Sequence, residues 1–422
     1  MAATFVTLAL SYGVWYAYAV FLVALVRDFG WSRSVVAGAF SLFTLVHGLA
    51  SYPIGWCSDR FGPRRLVLAG GVLLAAGLLL DSIVSSPWQL YLSYGILTAV
   101  GVAAAGWVPA VLLVRGWYPQ RVGTMLGLTS AGIGVGISLF VPLCQWLIDL
   151  GGWRGAFRVV AAVTLLWIVP ATLWLVRNPV GYMGGLDGSP KPPGRSSRPG
   201  EAGARLESAM RAAAPARPLG GAPEPTLRIA LAGRQFWLLA ATTLTTSFVN
   251  QMLLVHQVAY LVDHGITTFV AASVVSVVGV GSILSKGAGG WASDTFGREA
   301  TYTFGMVMVM ASIGSLGIVA LAPSPAWAYL YGLLVGVGYS VTAPLMPAVI
   351  SDVYRGRHFG AIFGAIHIAN AVGGSSGPWV AGRIFDVTGG YRLAFSLALL
   401  AAVAAVAALW TAAPRRGAAS GA

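Results

Sequence analysis

"GWCSDRFGPRR" at residues 55–65 and "GWASDTFGRE" at residues 290–299 are two copies of one pattern, and that repeat decides the fold. Each copy leaves a long apolar run through Gly-Trp, passes a Ser-Asp pair, and turns at a Gly with Arg close behind. The surrounding chain is 57% hydrophobic and 9% charged, against about 25% charged in soluble domains. Mean hydropathy is +0.77. Apolar runs long enough to cross a bilayer recur throughout, which a water-soluble core of this size does not need.

Twelve runs are read as spans: 4–26, 36–56, 66–84, 88–114, 122–145, 157–176, 236–261, 269–292, 301–321, 325–350, 358–384 and 392–413. The opening stretch has no basic leader and reads as a first span. The repeated pattern follows the second and the eighth span, the same place in two six-span units. The domains are therefore residues 1–177, a first six-helix bundle; 178–235, a linker; 236–413, a second bundle; and 414–422, a tail. The linker, with "GSPKPPGRSSRPGEAGARLE", is too rich in Pro, Gly and Ser to build a core, and only a short helix around 201–213 is expected in it.

The net charge of +13 is distributed as a topology signal rather than a nucleic-acid face. Arg60, Arg64, Arg65, Arg115, Arg121, the linker arginines, Arg298, Arg355, Arg357, Arg415 and Arg416 fall on one side. Fewer fall on the other: Arg27, Arg33, Arg154, Arg158, Arg383 and Arg392. The positive-inside rule then places both termini in the cytoplasm of a multi-pass cell-membrane protein, an inner membrane in a bacterium. Cys57 and Cys144 form neither a disulfide framework nor a metal pattern. No phosphate-binding loop or nucleophile motif occurs. No cofactor, no metal and no enzymatic activity are expected, and no nucleic-acid partner.

Gly55, Asp59, Arg60, Gly62, Arg64 and Arg65 resemble the signature loop of the major facilitator superfamily, with Gly290, Asp294, Gly297 and Arg298 as its reduced second copy. The resemblance implies an all-α membrane protein of twelve transmembrane helices in two halves, with these residues gating it. "RDFGWSRSVVAGAFSL" (27–42), "RVGTMLGLTSAGIGVG" (121–136) and "HFGAIFGAIHIANAVGG" (358–374) further resemble the monocarboxylate transporters and oxalate/formate antiporters. Those families carry a basic residue in the eighth span, eight residues before the loop Asp; here that residue is Lys286, where Arg is usual. The antiporters' second Lys falls on Asn370, which is neutral, and the first-span Lys of animal monocarboxylate transporters falls on Tyr16.

Lys286 and Lys191 are the two lysines of the chain. Eight residues of helix put Lys286 about 12 Å inside the membrane, where an unpaired amine costs at least about 2.5 kcal/mol. The acidic residues sit in loops or near span ends, Asp81 being the deepest, so a bound carboxylate is the natural counter-ion. One cation suits one negative charge. Proton coupling is expected at Lys286 and His256. Further substrate-binding candidates are Asn250 and His256 in the seventh span, His367 and Asn370 in the eleventh, Tyr12 and Tyr16 in the first, and Trp107 and Tyr339 as walls. The expected function is secondary transport of small monocarboxylates such as lactate or pyruvate, by proton-coupled symport with alternating access, in a chain that works as a monomer. Its partners are then the small organic carboxylate, protons and the lipid bilayer. An oxalate/formate type exchanger and an exporter of apolar compounds are the alternatives.

Overall fold

The structure is a computed structural model; it describes residues 1–118, 122–178, 226–354 and 359–412, and within these leaves out some side chains, Asp59, Lys286 and Asp294 among them. The expected linker helix at 201–213, Arg121, Arg355, Arg357 and the 414–422 tail lie outside the described residues. Helices fill most of what is described: α1 (Ala2–Phe29), α2 (Arg33–Phe61), α3 (Pro63–Asp81), α4 (residues 87–117), α5 and α6 (residues 122–151 and 153–175). A short helix, Leu227–Ala232, leads into α7 (Arg234–Asp263), α8 (Thr268–Phe296), α9 (Arg298–Leu321), α10 (Pro325–Val353), α11 (Phe359–Thr388) and α12 (Arg392–Ala412).

Among the described residues, ten helices are long and apolar enough to cross a membrane. One of the ten, Leu128–Leu175, is a merged pair. Gly152, at φ 70° and ψ 168°, leaves the helical region inside it. The chain reverses there: Trp153 donates to Asp28 at the far end of α1, while Ala171 packs with Ala3 at its start. The apolar pattern predicts a loop at 146–156; helix runs through it to Gly152 on either side. The 30-residue α11 is not among the ten. α4 is not one regular helix either. It contains a π-helical stretch, Tyr91–Thr98, and a break at Gly106. Asp81 lies fully buried against the π stretch and bonds Ser93 and Thr98.

The internal repeat extends beyond the motif to the backbone. Gly62 (φ 84°, ψ 141°) and Gly297 (φ 96°, ψ 158°) make the same sharp reversal in conformations that favour glycine. Helix contacts repeat as well. A Cβ at Gly132 or Gly136 of α5 would lie 2.5 and 2.1 Å from the carbonyl oxygens of Phe5 and Ala9 on α1. A Cβ at Gly373 or Gly377 of α11 would lie 2.0 and 2.3 Å from those of Leu244 and Phe248 on α7. Two glycines four apart thus let each half's first and fifth helices touch backbone to backbone, as small residues do inside membranes. Across the halves, α2 packs on α11 and α8 packs on α5, two interfaces that the same two-fold exchanges.

Candidate functional site

Between the halves lies a cavity of about 250 Å³. Tyr12, Trp15 and Tyr16 of α1 face Thr243 to Gln251 of α7, Tyr339 to Ile350 of α10, and Phe363 to Asn370 of α11. Tyr16 and Tyr339 close its deep end, their hydroxyls 2.7 Å apart across the two halves. Two hydroxyl hydrogens serve one shared bond, so one is left to donate into the cavity. Asn250 is 4% exposed. Its Oδ1 and the Oε1 of Gln251 are sealed off without partners. Asn250 and Gln251 are thus buried amides at the cavity wall with unmet hydrogen-bonding capacity, and each carries an N–H₂ that a ligand could use. Tyr12 stacks on Trp15 at 5.6 Å, and His367 on Phe363 at 5.7 Å. Among the described lining residues none is Asp, Glu, Lys or Arg. The cavity offers neutral donors on aromatic walls.

Six of the sequence candidates meet here: Tyr12, Tyr16, Asn250, Tyr339, His367 and Asn370. Trp107 is not in the lining; it begins the second part of α4, after the Gly106 break. That break lies behind Tyr12, where a Cβ on Gly106 would be 3.6 Å from the Tyr12 ring. His256 is elsewhere, 1% exposed, with Nδ1 2.9 Å from the Tyr391 hydroxyl and Nε2 2.8 Å from the Pro378 carbonyl. The Lys286 side chain lies outside the described ones, but its position on α8 is defined. The exposed stripe of α8 runs through Val280, Leu284 and Trp291. Two residues of helix turn about 200°, so position 286 falls on the side away from Leu284. The same face carries Gly279 and Ile283, which touch Ser138 and Gly134 of α5 in the other half.

A latch that the sequence pattern does not display joins the halves. Arg33, at the start of α2, donates to Asp263 at 2.6 Å and to the Tyr391 hydroxyl at 2.7 Å, and lies 3.8 Å over the Phe385 ring. The Asp386 carboxylate accepts the backbone N–H groups of Arg33 and Ser34, both at 2.9 Å. It caps the N-terminus of α2 from the opposite half. Burial pushes the Tyr391 hydroxyl above its ordinary range, so it keeps its proton beside the guanidinium. The halves are thus closed on the Arg33 side, and the cavity lining continues through Met346, Ile350 and Phe363 toward the side of the termini.

Among the described signature-loop residues, Arg64 and Arg298 hold helix ends, and none is in the described lining of the cavity. Arg64 donates to the carbonyls of Thr172 and Leu173 at the end of α6, at 3.0 and 2.6 Å. A Cβ on Gly62 would be 2.8 Å from Asn178 Nδ2. Arg60 lies 5.4 Å over Trp56, and Arg65 is exposed. Gly55 faces Val108 of α4. In the second copy Arg298 bonds Asp352 at 3.1 Å and Ser293 at 2.6 Å. Nothing is described for the side chains of Asp59 and Asp294 or the surroundings of Gly290. Thr243, Thr246 and Ser247 also line the cavity; the run "TTLTTSFVNQ" (242–251) displays them, but the sequence reading does not single them out.

The chain is similar to monocarboxylate transporter 13 of Bos taurus, 28% identical over 402 residues that cover 92% of this chain and 83% of that one. It is 29% identical to monocarboxylate transporter 3 of Rattus norvegicus over 405 residues, covering 94% and 76%. Among solved structures it resembles a bacterial homologue of the human drug peptide transporters PepT1 and PepT2, with TM-score 0.70, 16% identity, and 98% and 96% of the chains covered. It also resembles a D-xylose-proton symporter, with TM-score 0.72, 15% identity, and 98% and 96% covered. At such identities these structures speak for the fold. The family model described as Major Facilitator Superfamily matches residues 4–378 and 262–422. With that match over nearly the whole length, the chain belongs to the major facilitator superfamily and is a membrane transporter, not an enzyme.

Proposed function

We propose that the protein moves small monocarboxylates such as lactate or pyruvate across the cell membrane, by proton-coupled symport and alternating access. Both termini are then cytoplasmic, all twelve helices α1–α12 cross the bilayer, and the form described here is closed outside and open inward. One observation carries the reading. Position 286, which holds the one lysine in an apolar span, turns away from the lipid-facing stripe of α8 and toward α5 of the other half. A cation there needs an anion. The cavity between the halves supplies hydroxyl and amide donors and, among its described lining, no fixed charge. A carboxylate that accepts from Tyr16 or Tyr339, Asn250 and Asn370 while neutralising Lys286 satisfies both demands. Lys286, and through the latch His256, are the groups to which coupling protons are assigned. The names of the similar monocarboxylate transporters agree with this cargo.

The test is uptake by purified protein in liposomes, with labelled lactate, pyruvate, oxalate and an uncharged solute of similar size. An inward proton gradient should accelerate lactate and pyruvate entry, with oxalate slow and the neutral solute excluded. Transport of the neutral solute with no competition from organic acids would overturn the reading.

A further inference from the structure

Hydrogen counting in the latch fixes the state of His256. Its Nε2 faces the carbonyl of Pro378, which only accepts, so Nε2 carries a hydrogen. Its Nδ1 faces the Tyr391 oxygen. That oxygen already receives an N–H from Arg33, which cannot accept in return. In the closed latch the Tyr391 hydrogen therefore goes to Nδ1, and the relay runs from Arg33 N–H to Tyr391 O–H to a neutral His256.

A second proton on His256 breaks this relay. Nδ1–H would point at the phenol oxygen, whose own hydrogen would lose its acceptor. An imidazolium and a guanidinium would then flank one neutral oxygen. The other charged and titratable groups around the ring do not repair this. Asp263 on α7 is occupied by Arg33. Asp386 on α11 holds the N-terminus of α2. Of α7 itself, His264 bonds the Tyr260 carbonyl and Tyr260 donates to Leu316. On α12 the neighbouring charge, Arg392, is a further cation. On α1, Asp28 is engaged by Trp153 and Arg154.

We propose that His256 is a proton-binding site that controls the gate on the Arg33 side: a proton taken up there opens the gate, and its loss lets the latch close. The inference rests on the alternating-access part of the proposed function and is independent of the cargo. It gives the proton assigned to His256 a place of action, the gate, that needs no bound substrate.

The test needs no substrate. Spin labels are placed at Leu150→Cys on α5 and Phe269→Cys on α8, both exposed at the Arg33-side ends of the facing helices, in a Cys57→Ser, Cys144→Ala background in lipid nanodiscs. Loss of one hydrogen bond plus the added repulsion amounts to about a tenfold shift. The ratio of long to short label distances should thus rise about tenfold between pH 8 and pH 5, reversibly. His256→Gln should hold the ratio flat over this range. Tyr391→Phe, which keeps the ring packed on Phe395 and loses only the hydroxyl, should shrink the step and serves if His256→Gln does not fold. A parent protein with no pH response, a His256→Gln protein that titrates like the parent, or an unchanged step in Tyr391→Phe would each overturn the proposal.

Discussion

Asp386→Ala probes the latch at the point where one half terminates a helix of the other. The carboxylate receives two backbone N–H groups from the first turn of α2, both at 2.9 Å. An N-cap of this kind contributes about 1–2 kcal/mol, and a favourable charge at the helix dipole adds to it. The Asp386 side chain is reached by water, so the figure is discounted to about 1 kcal/mol. Because the two partners belong to different halves, this energy exists only while the Arg33 side is closed. Its loss therefore shifts the open-to-closed ratio by about fivefold rather than unfolding the protein. Spin-label distances between residues 150 and 269 at pH 8 measure that ratio directly. Asp386→Asn, which keeps one acceptor oxygen, should give a smaller shift in the same direction. Unchanged distances in Asp386→Ala would refute the assignment of this contact as a closing element.

Three other perturbations follow from the packing. Tyr16→Phe and Tyr339→Phe each remove the same bond across the deep end of the cavity, so each should favour separation of the halves by about 1 kcal/mol, and the double variant should add little to either; additive effects in a double-mutant cycle of label distances would contradict the pairing. Gly136→Leu or Gly377→Leu puts a side chain onto a carbonyl that lies 2.1 or 2.3 Å from an ideal Cβ, and should abolish folded protein as judged by size-exclusion chromatography in detergent. Arg64→Ala frees the Thr172 and Leu173 carbonyls at the end of α6; two hydrogen bonds to a charged donor, partly exposed, correspond to about 1–3 kcal/mol, and a lower thermal unfolding midpoint with the cavity residues intact is expected.

Much of the architecture could be read from local pattern. The duplicated Gly-Trp…Asp…Gly motif announced two equivalent halves, and the glycines at 62 and 297 make matching turns because a positive φ is required at both. The polar residues in otherwise apolar spans pointed to the cavity, since few other reasons place Asn250, Asn370 and Tyr16 there. Reading stopped where partners are distant. Arg33 looked like one of several basic residues on the sparse side of the topology, yet its bonds reach Asp263 and Tyr391, more than 200 residues away. His256 looked like a cavity residue because it follows Asn250 on α7. Helix packing instead turns it toward Pro378 and the α11–α12 corner. The Gly106 break and the π turn of α4 were equally hidden, because their sequence is as apolar as a straight span.

The central claim is that a positive charge at position 286 meets the carboxylate. Its most direct measurement is lactate exchange by Lys286→Ala and Lys286→Arg in liposomes with lactate on both sides, so that neither return of the empty carrier nor a gradient limits the rate. Exchange should fall to background in Lys286→Ala and survive, at reduced rate, in Lys286→Arg. Exchange by Lys286→Ala at the parent rate, with unchanged half-saturation by lactate, would contradict the account.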